Sequence, residues 1–215
     1  MAEIARTAEP ESVTRLRPAF HSWPLHEFIS RAVRVTVISV IRQVRMESYD
    51  LDFMKLALLA ARQAWTRGEV PVGAVIVSAG EVVGTGYNCR QQRQNPLCHA
   101  EIIAIEEASR SLRSWRLGEC DIYVTLEPCV MCIGAILQAR MRRLVFGCLD
   151  AKAGAVASLY HLAEDPRLNH QLPVTGGVLA DQCSSMLSEF FSCLRAQKRS
   201  CHHRTERWPS PVEGA

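Results

Sequence analysis

From residue 50 onward, apolar residues recur first at helical spacing and then in short alternating or continuous runs, and this switch repeats along the chain. Phe53, Leu56, Ala57, Ala60, Ala61 and Ala64 predict a helix. Asp50 stands where a cap is expected and Gly68 where a helix stops. PVGAVIVS (71–78) and VVGTGYN (82–88) predict a hairpin around the tight turn AGE. CRQQRQNPLC (89–98) predicts a polar loop and HAEIIAIEEASRSL (99–112) a helix. DIYVTLEP (121–128) opens as a buried strand, CVMCIGAILQAR (129–140) is a helix and RRLVFGCL (142–149) a strand. DAKAGAVAS (150–158) is a loop of small residues, and residues 174–199 predict a short strand and then a long helix capped near Asp181. Alternation of strands and helices after an initial hairpin gives an α/β expectation, with helices layered on a mixed sheet. There are no internal repeats.

The two ends follow other patterns. Residues 1–45 contain seven Arg, four Glu and no Lys or Asp, with Pro10, Pro18 and Pro24 interrupting any helix. VRVTVISVIRQVR (33–45) reads as a strand or a short helix without an evident partner. We read residues 1–45 as an extension dispensable for chemistry, disordered or upstream of a true start at Met46. Residues 46–199 form the expected domain, and 200–215 a disordered tail. Arg and Ser in the leader suit an organelle transit peptide, but its four Glu oppose that reading.

Charge and cysteine usage narrow the setting. A chain of 215 residues, 48% of them hydrophobic, suffices for one well-buried domain and is short for two. No apolar run has bilayer-spanning length. The net charge of +3 lies in the first 45 residues, so any nucleic-acid surface must come from local clustering. Nine cysteines, an odd and irregular set without a secretory leader, argue against a disulfide framework and for a reducing cytoplasm.

Cys129 and Cys132 lie three positions apart, just behind Pro128. By themselves they fit a redox pair, a metal site or core thiols. At a predicted helix start both face one side of the first turn, where the helix dipole stabilises a thiolate. The preceding helix opens with His99-Ala100-Glu101. If both helices begin at one sheet edge, one His and two Cys converge. Zinc accepts that set, and three protein ligands leave a fourth position for water. Glu101 is two residues past His99, within reach of that water. H-x-E followed by P-C-x-x-C is the signature of zinc deaminases.

VPVGAVIV, GYN, HAE, TLEPCVMC, VFG, DAKAGA and the late LADQC…LSEFF run in one order over about residues 50–195. In these motifs the chain resembles the bacterial-type tRNA-specific adenosine deaminases of the zinc-dependent cytidine/deoxycytidylate deaminase superfamily. The resemblance implies a three-layer α/β/α fold with a five-stranded mixed sheet. It implies one Zn²⁺ per subunit on His99, Cys129 and Cys132, Glu101 as proton shuttle, and Asn88 as a base-contacting residue. It further implies a homodimer that acts on a tRNA anticodon stem-loop, converting the wobble adenosine to inosine.

Other readings compete. Asn88 also suits a turn that ends a hairpin. Arg90, Arg93 and Lys152 lie in loops expected at the site mouth, and Arg195, Lys198 and Arg199 extend the last helix. As a group they are candidate RNA contacts; singly, cations at a helix end also match its dipole. Phe190 and Phe191 anchor the last helix or line an RNA groove. Cys98 and Cys148 read as packing residues, Met131 and Ile136 as helix core, and Cys201-His202-His203 lacks partners for a second metal. The alternative enzyme is a deaminase of a free base or nucleotide, of guanine or cytosine type. A silent binding subunit would be expected to lack Glu101. A structural zinc module would need a fourth ligand, for which Cys98 is the nearby candidate.

Overall fold

The computed structural model describes residues 48–205, with side chains as far as residue 197. The expectations for residues 1–45 and 206–215, and for the side chains of Lys198, Arg199, Cys201, His202 and His203, fall outside that range.

The first helix, α1, covers 48–66 and ends at Gly68, whose φ of +75° suits glycine. Asp50 does not cap this helix. It lies within the first turn, buried, where it accepts hydrogen bonds from Tyr123 Oη (2.8 Å) and Arg143 Nη2 (2.6 Å). Leu56 also departs from expectation, at 40% exposure. At about 100° per residue the inner stripe is Met54, Ala57, Leu58, Ala61 and Ala64, and Leu56 falls off it.

The hairpin forms as predicted, β1 (Gly73–Ser78) and β2 (Glu81–Tyr87) joined at Ala79 and Gly80, both with positive φ. The predicted loop after it contains a single helical turn, α2 (Arg90–Arg93). Then follow α3 (Ala100–Leu112), β3 (Cys120–Leu126), α4 (Val130–Gln138), β4 (Arg143–Cys148), β5 (Val174–Thr175) and α5 (Ala180–Thr205). A short 3₁₀ turn at Leu162–Glu164 lies between β4 and β5. Asp181 sits in the first turn of α5.

The five strands form one mixed sheet in the order β2-β1-β3-β4-β5. The pairs β1/β2 and β1/β3 are antiparallel, and β3/β4 and β4/β5 are parallel. Side chains alternate across it. Ala74, Ile76, Ile122, Val124, Leu144 and Phe146 pack with α3 and α4 on one face. Val75, Val77, Tyr123 and Val145 pack with α1 and α5 on the other. This is the expected three-layer α/β/α architecture.

The strand directions create the site. Since β2 and β3 are each antiparallel to β1, they run the same way, and α3 and α4, which follow them, both start at one sheet edge. The approach of α3 to β2 depends on glycine. A Cβ at Gly86 would overlap the Ala100 carbonyl oxygen and meet Ala104 N at 2.7 Å. Gly86→Ala is therefore expected to destabilise the protein by about 1–3 kcal/mol through overpacking. Because α3 carries Glu101, turnover should also fall; thermal melts beside activity assays check both, and an unchanged melting point would refute the close approach.

Candidate metal centre and nucleotide pocket

His99 and Cys129 occupy equivalent places. Each is the N-cap of its helix, extended in backbone (φ −78°, ψ 156° and φ −74°, ψ 173°), with its carbonyl already accepting the first helical bond. Neither side chain caps its own helix. Both are thereby free to turn towards each other, and Cys132, one turn into α4, joins them from the buried side.

His99 Nδ1 lies 3.8 Å from Cys129 Sγ and 3.5 Å from Cys132 Sγ, and the three atoms all lie within 4.8 Å of one another. Tetrahedral zinc, with Zn–S near ~2.3 Å and Zn–N near ~2.05 Å, separates neighbouring S and N ligands by about 3.5 Å. The donor set and its spacing fit that ion. A bond from Cys132, with His99 beside it, holds the Cys129 thiol down at about 3. The Cys132 thiol is pushed far above the usual range by that same bond and by burial, and His99 is raised by its bond to Cys129. Cys129→Ala is expected to lose bound zinc while Cys148→Ala retains it, as metal analysis of the purified proteins will read.

Glu101 faces this cluster from the first turn of α3, at 4% exposure. Burial raises its carboxyl above the ordinary value, against hydrogen bonding to its own backbone and the charge of His99. A buried carboxyl in this position can both take and return a proton. A cavity of about 210 Å³ opens in front, lined among others by Asn88, Arg90, His99, Glu101, Cys129 and Asp150.

Asn88, just past the end of β2, is buried at 7% exposure. Its Nδ2 donates to Val70 O (3.2 Å) and to Glu69 Oε2 (3.5 Å), so its carbonyl oxygen is the atom left for a ligand. Glu69 is itself buried and accepts the Gln92 amide at 2.6 Å, tying α2 to the same wall. Two buried acids, Glu69 and Glu127, were missed by sequence reasoning. Acids beside strands usually read as solvated; their location amid apolar runs, GEVPVGAV and YVTLEPCV, was the available signal.

Among the cationic candidates, Arg90 lines the pocket. Lys152 and Arg195 meet across a separate notch of about 350 Å³ with Leu187, Ser188 and Phe191. Arg93 stays on the surface of α2. Phe190 is buried edge-on against Trp65, whereas Phe191 is 41% exposed. Cys98 and Cys148 are buried as expected, Ile136 is core, and Met131 is only partly buried.

Residues 47–148 match the family model of the cytidine and deoxycytidylate deaminase zinc-binding region. A tRNA-specific adenosine deaminase of Bacillus subtilis is 44% identical over 151 residues, covering 70% of this chain and 94% of that protein. The chain belongs to the tRNA-specific adenosine deaminase family. The Haemophilus influenzae member is 46% identical over 158 residues, covering 73% of this chain and 91% of that one. The fold agrees as well. A solved structure from studies of A-to-I editing by tRNA:A34 deaminases at the wobble position of transfer RNA superposes with a TM-score of 0.61 at 42% identity. The match covers 63% of this chain and 99% of that one. A guanine deaminase from Nitrosomonas europaea, 23% identical with a TM-score of 0.58 over 66% of this chain and 85% of that one, shares the fold. In this tRNA-specific adenosine deaminase family member, no helix among the described residues is long and apolar enough to cross a membrane.

Proposed function

We propose that this protein hydrolyses adenosine to inosine at the wobble position of a tRNA anticodon, releasing ammonia. The observation that carries this reading is one pocket lined by His99 and Cys129 of a His-Cys-Cys cluster, by the buried Glu101 carboxyl and by Asn88. Identity above 40% to proteins of that name, against 23% to a guanine deaminase, favours it over the free-base alternative.

His99, Cys129 and Cys132 would hold Zn²⁺. When bound, the metal supplies Lewis acidity that lets water act as a nucleophile at neutral pH. Glu101 would take one proton from that water and deliver it to the ring nitrogen, and would then pass the remaining proton of the new C6 hydroxyl to the departing amine. The new bond is C6–O, the broken one C6–N6, and the products are inosine and ammonia. Asn88 orients the base through its carbonyl oxygen. The base must leave its stack to enter so narrow a pocket, and an anticodon loop allows this at low cost.

Arg90 at the pocket and Lys152 and Arg195 beside exposed Phe191 suit phosphates and a stacked base of the flanking RNA. Exposed Leu149, Leu159 and Tyr160 next to the 150–158 loop suit a homodimer contact, which sedimentation would measure. Free thiols at all eight described cysteines suit the cytoplasm. The decisive experiment incubates the protein with an anticodon stem-loop bearing a wobble adenosine, beside free adenosine, guanine and cytosine, reading products by mass. Inosine in the RNA alone supports the proposal; conversion of a free base instead overturns its RNA half.

A further inference from the structure

Glu127 is a buried carboxylate, at 2% exposure, that the chemistry above does not use. It stands at the end of β3, two residues before Cys129, and lines the nucleotide pocket. All of its side-chain hydrogen bonds go to one segment, the loop 150–158. Oε1 accepts from the amides of Val156 (3.1 Å), Ala157 (2.7 Å) and Ser158 (2.9 Å). Oε2 accepts from the Asp150 amide (3.0 Å) and from the Ser158 hydroxyl. The loop contains no helix or strand of its own that could satisfy these amides. Gly154 completes the fit, since a Cβ there would land on the Glu127 carboxylate. The loop is otherwise tied to this part of the chain by the Ala155 amide on Pro128 O (2.9 Å) and a bridge between Gly154 and Cys129. Asp150 and Ala153 of the loop line the pocket, and Lys152 lines the separate notch.

We infer that Glu127 is a positioning residue: its carboxylate holds the 150–158 loop closed as a wall of the nucleotide pocket, and so sets how tightly the target nucleotide is bound. The inference rests on the deaminase reading. The five partners are all donors, which demands an acceptor-only group. Glutamine brings an NH₂ against amide N–H groups whichever way it is turned; only the Ser158 hydroxyl can rotate to accept from it. A loop that is closed for only a fraction of the time weakens apparent affinity by that fraction, while a nucleotide once bound meets the same reacting groups. Loss of the anchor should therefore raise KM and spare kcat.

The test uses the full, zinc-loaded chain and compares Ser158→Ala, Glu127→Gln and Gly154→Ala with the unaltered protein. Zinc content, kcat and KM on the stem-loop RNA, and amide hydrogen exchange at 156–158 are read together. The expected result is unchanged zinc and faster loop exchange in all three. KM should rise about tenfold or more in Glu127→Gln and Gly154→Ala, less in Ser158→Ala, with kcat within a few-fold. Ser158→Ala removes one bond only, which keeps the series readable if a harsher variant misfolds. Zinc loss, a fall in kcat at constant KM, or faster loop exchange without a change in KM would each overturn the assignment. If the unaltered protein leaves the RNA unchanged, the deaminase reading fails separately, and the anchoring of the loop is then decided by exchange alone.

Discussion

Glu101→Gln is expected to lower turnover by about 10²–10⁴-fold while zinc binding and fold persist. The carboxylate faces the His-Cys-Cys cluster without being part of it, so its removal leaves all three metal donors in place. An amide of the same shape can neither accept nor return a proton at neutral pH. The measurement is inosine formed per enzyme under saturating RNA, beside metal analysis and a thermal melt. Turnover within tenfold of the unaltered protein would mean that another group moves the proton.

The largest stability effect is expected at the opposite end of the same strands. Arg143 is nearly buried and forks onto Asp50 (Nη1 to Oδ2 3.0 Å, Nη2 to Oδ1 2.6 Å). It also reaches Asp121 (Nε to Oδ2 3.2 Å) and the Tyr123 hydroxyl (2.8 Å). Arg143→Met strips the central cation from two buried carboxylates. Asp50 retains only the Tyr123 hydroxyl among these partners, and Asp121 retains Arg142, whose side chain is largely exposed. Breaking such a cluster from one side costs about 3–5 kcal/mol. In a domain of this size that is a fall of about 10 °C or more in Tm. Urea and thermal melts measure it, with activity per folded molecule expected to stay level in the cold. A loss below about 1 kcal/mol would show that water screens the cluster.

The strands and helices were legible because their apolar periods are clean. GAVIVS and RLVFGC are apolar on both faces, as strands covered by two helical layers must be. The triad was legible because His99 and Cys129 each begin a helix, and because strand direction, inferable from alternation, brings those beginnings together. Asp50 was not legible. An acid at a helix start looks the same whether it caps the helix or pairs with an arginine 93 residues on, and only the tertiary partner decides. Glu69 and Glu127 were hidden for a related reason. Their partners are mainly backbone amides, which every residue but proline carries and no residue letter reveals.

The two ends of β3 and β4 have different occupants, the ion cluster at Asp121 and Arg143 and the pocket beyond Leu126 and Cys148. Strands of six and seven residues put roughly 20 Å between them. Substitutions that far apart act nearly independently. A lineage moving into hotter surroundings can thus adjust one end of the sheet without renegotiating its chemistry, and one acquiring a new RNA target can reshape the loops at the other without surrendering heat tolerance.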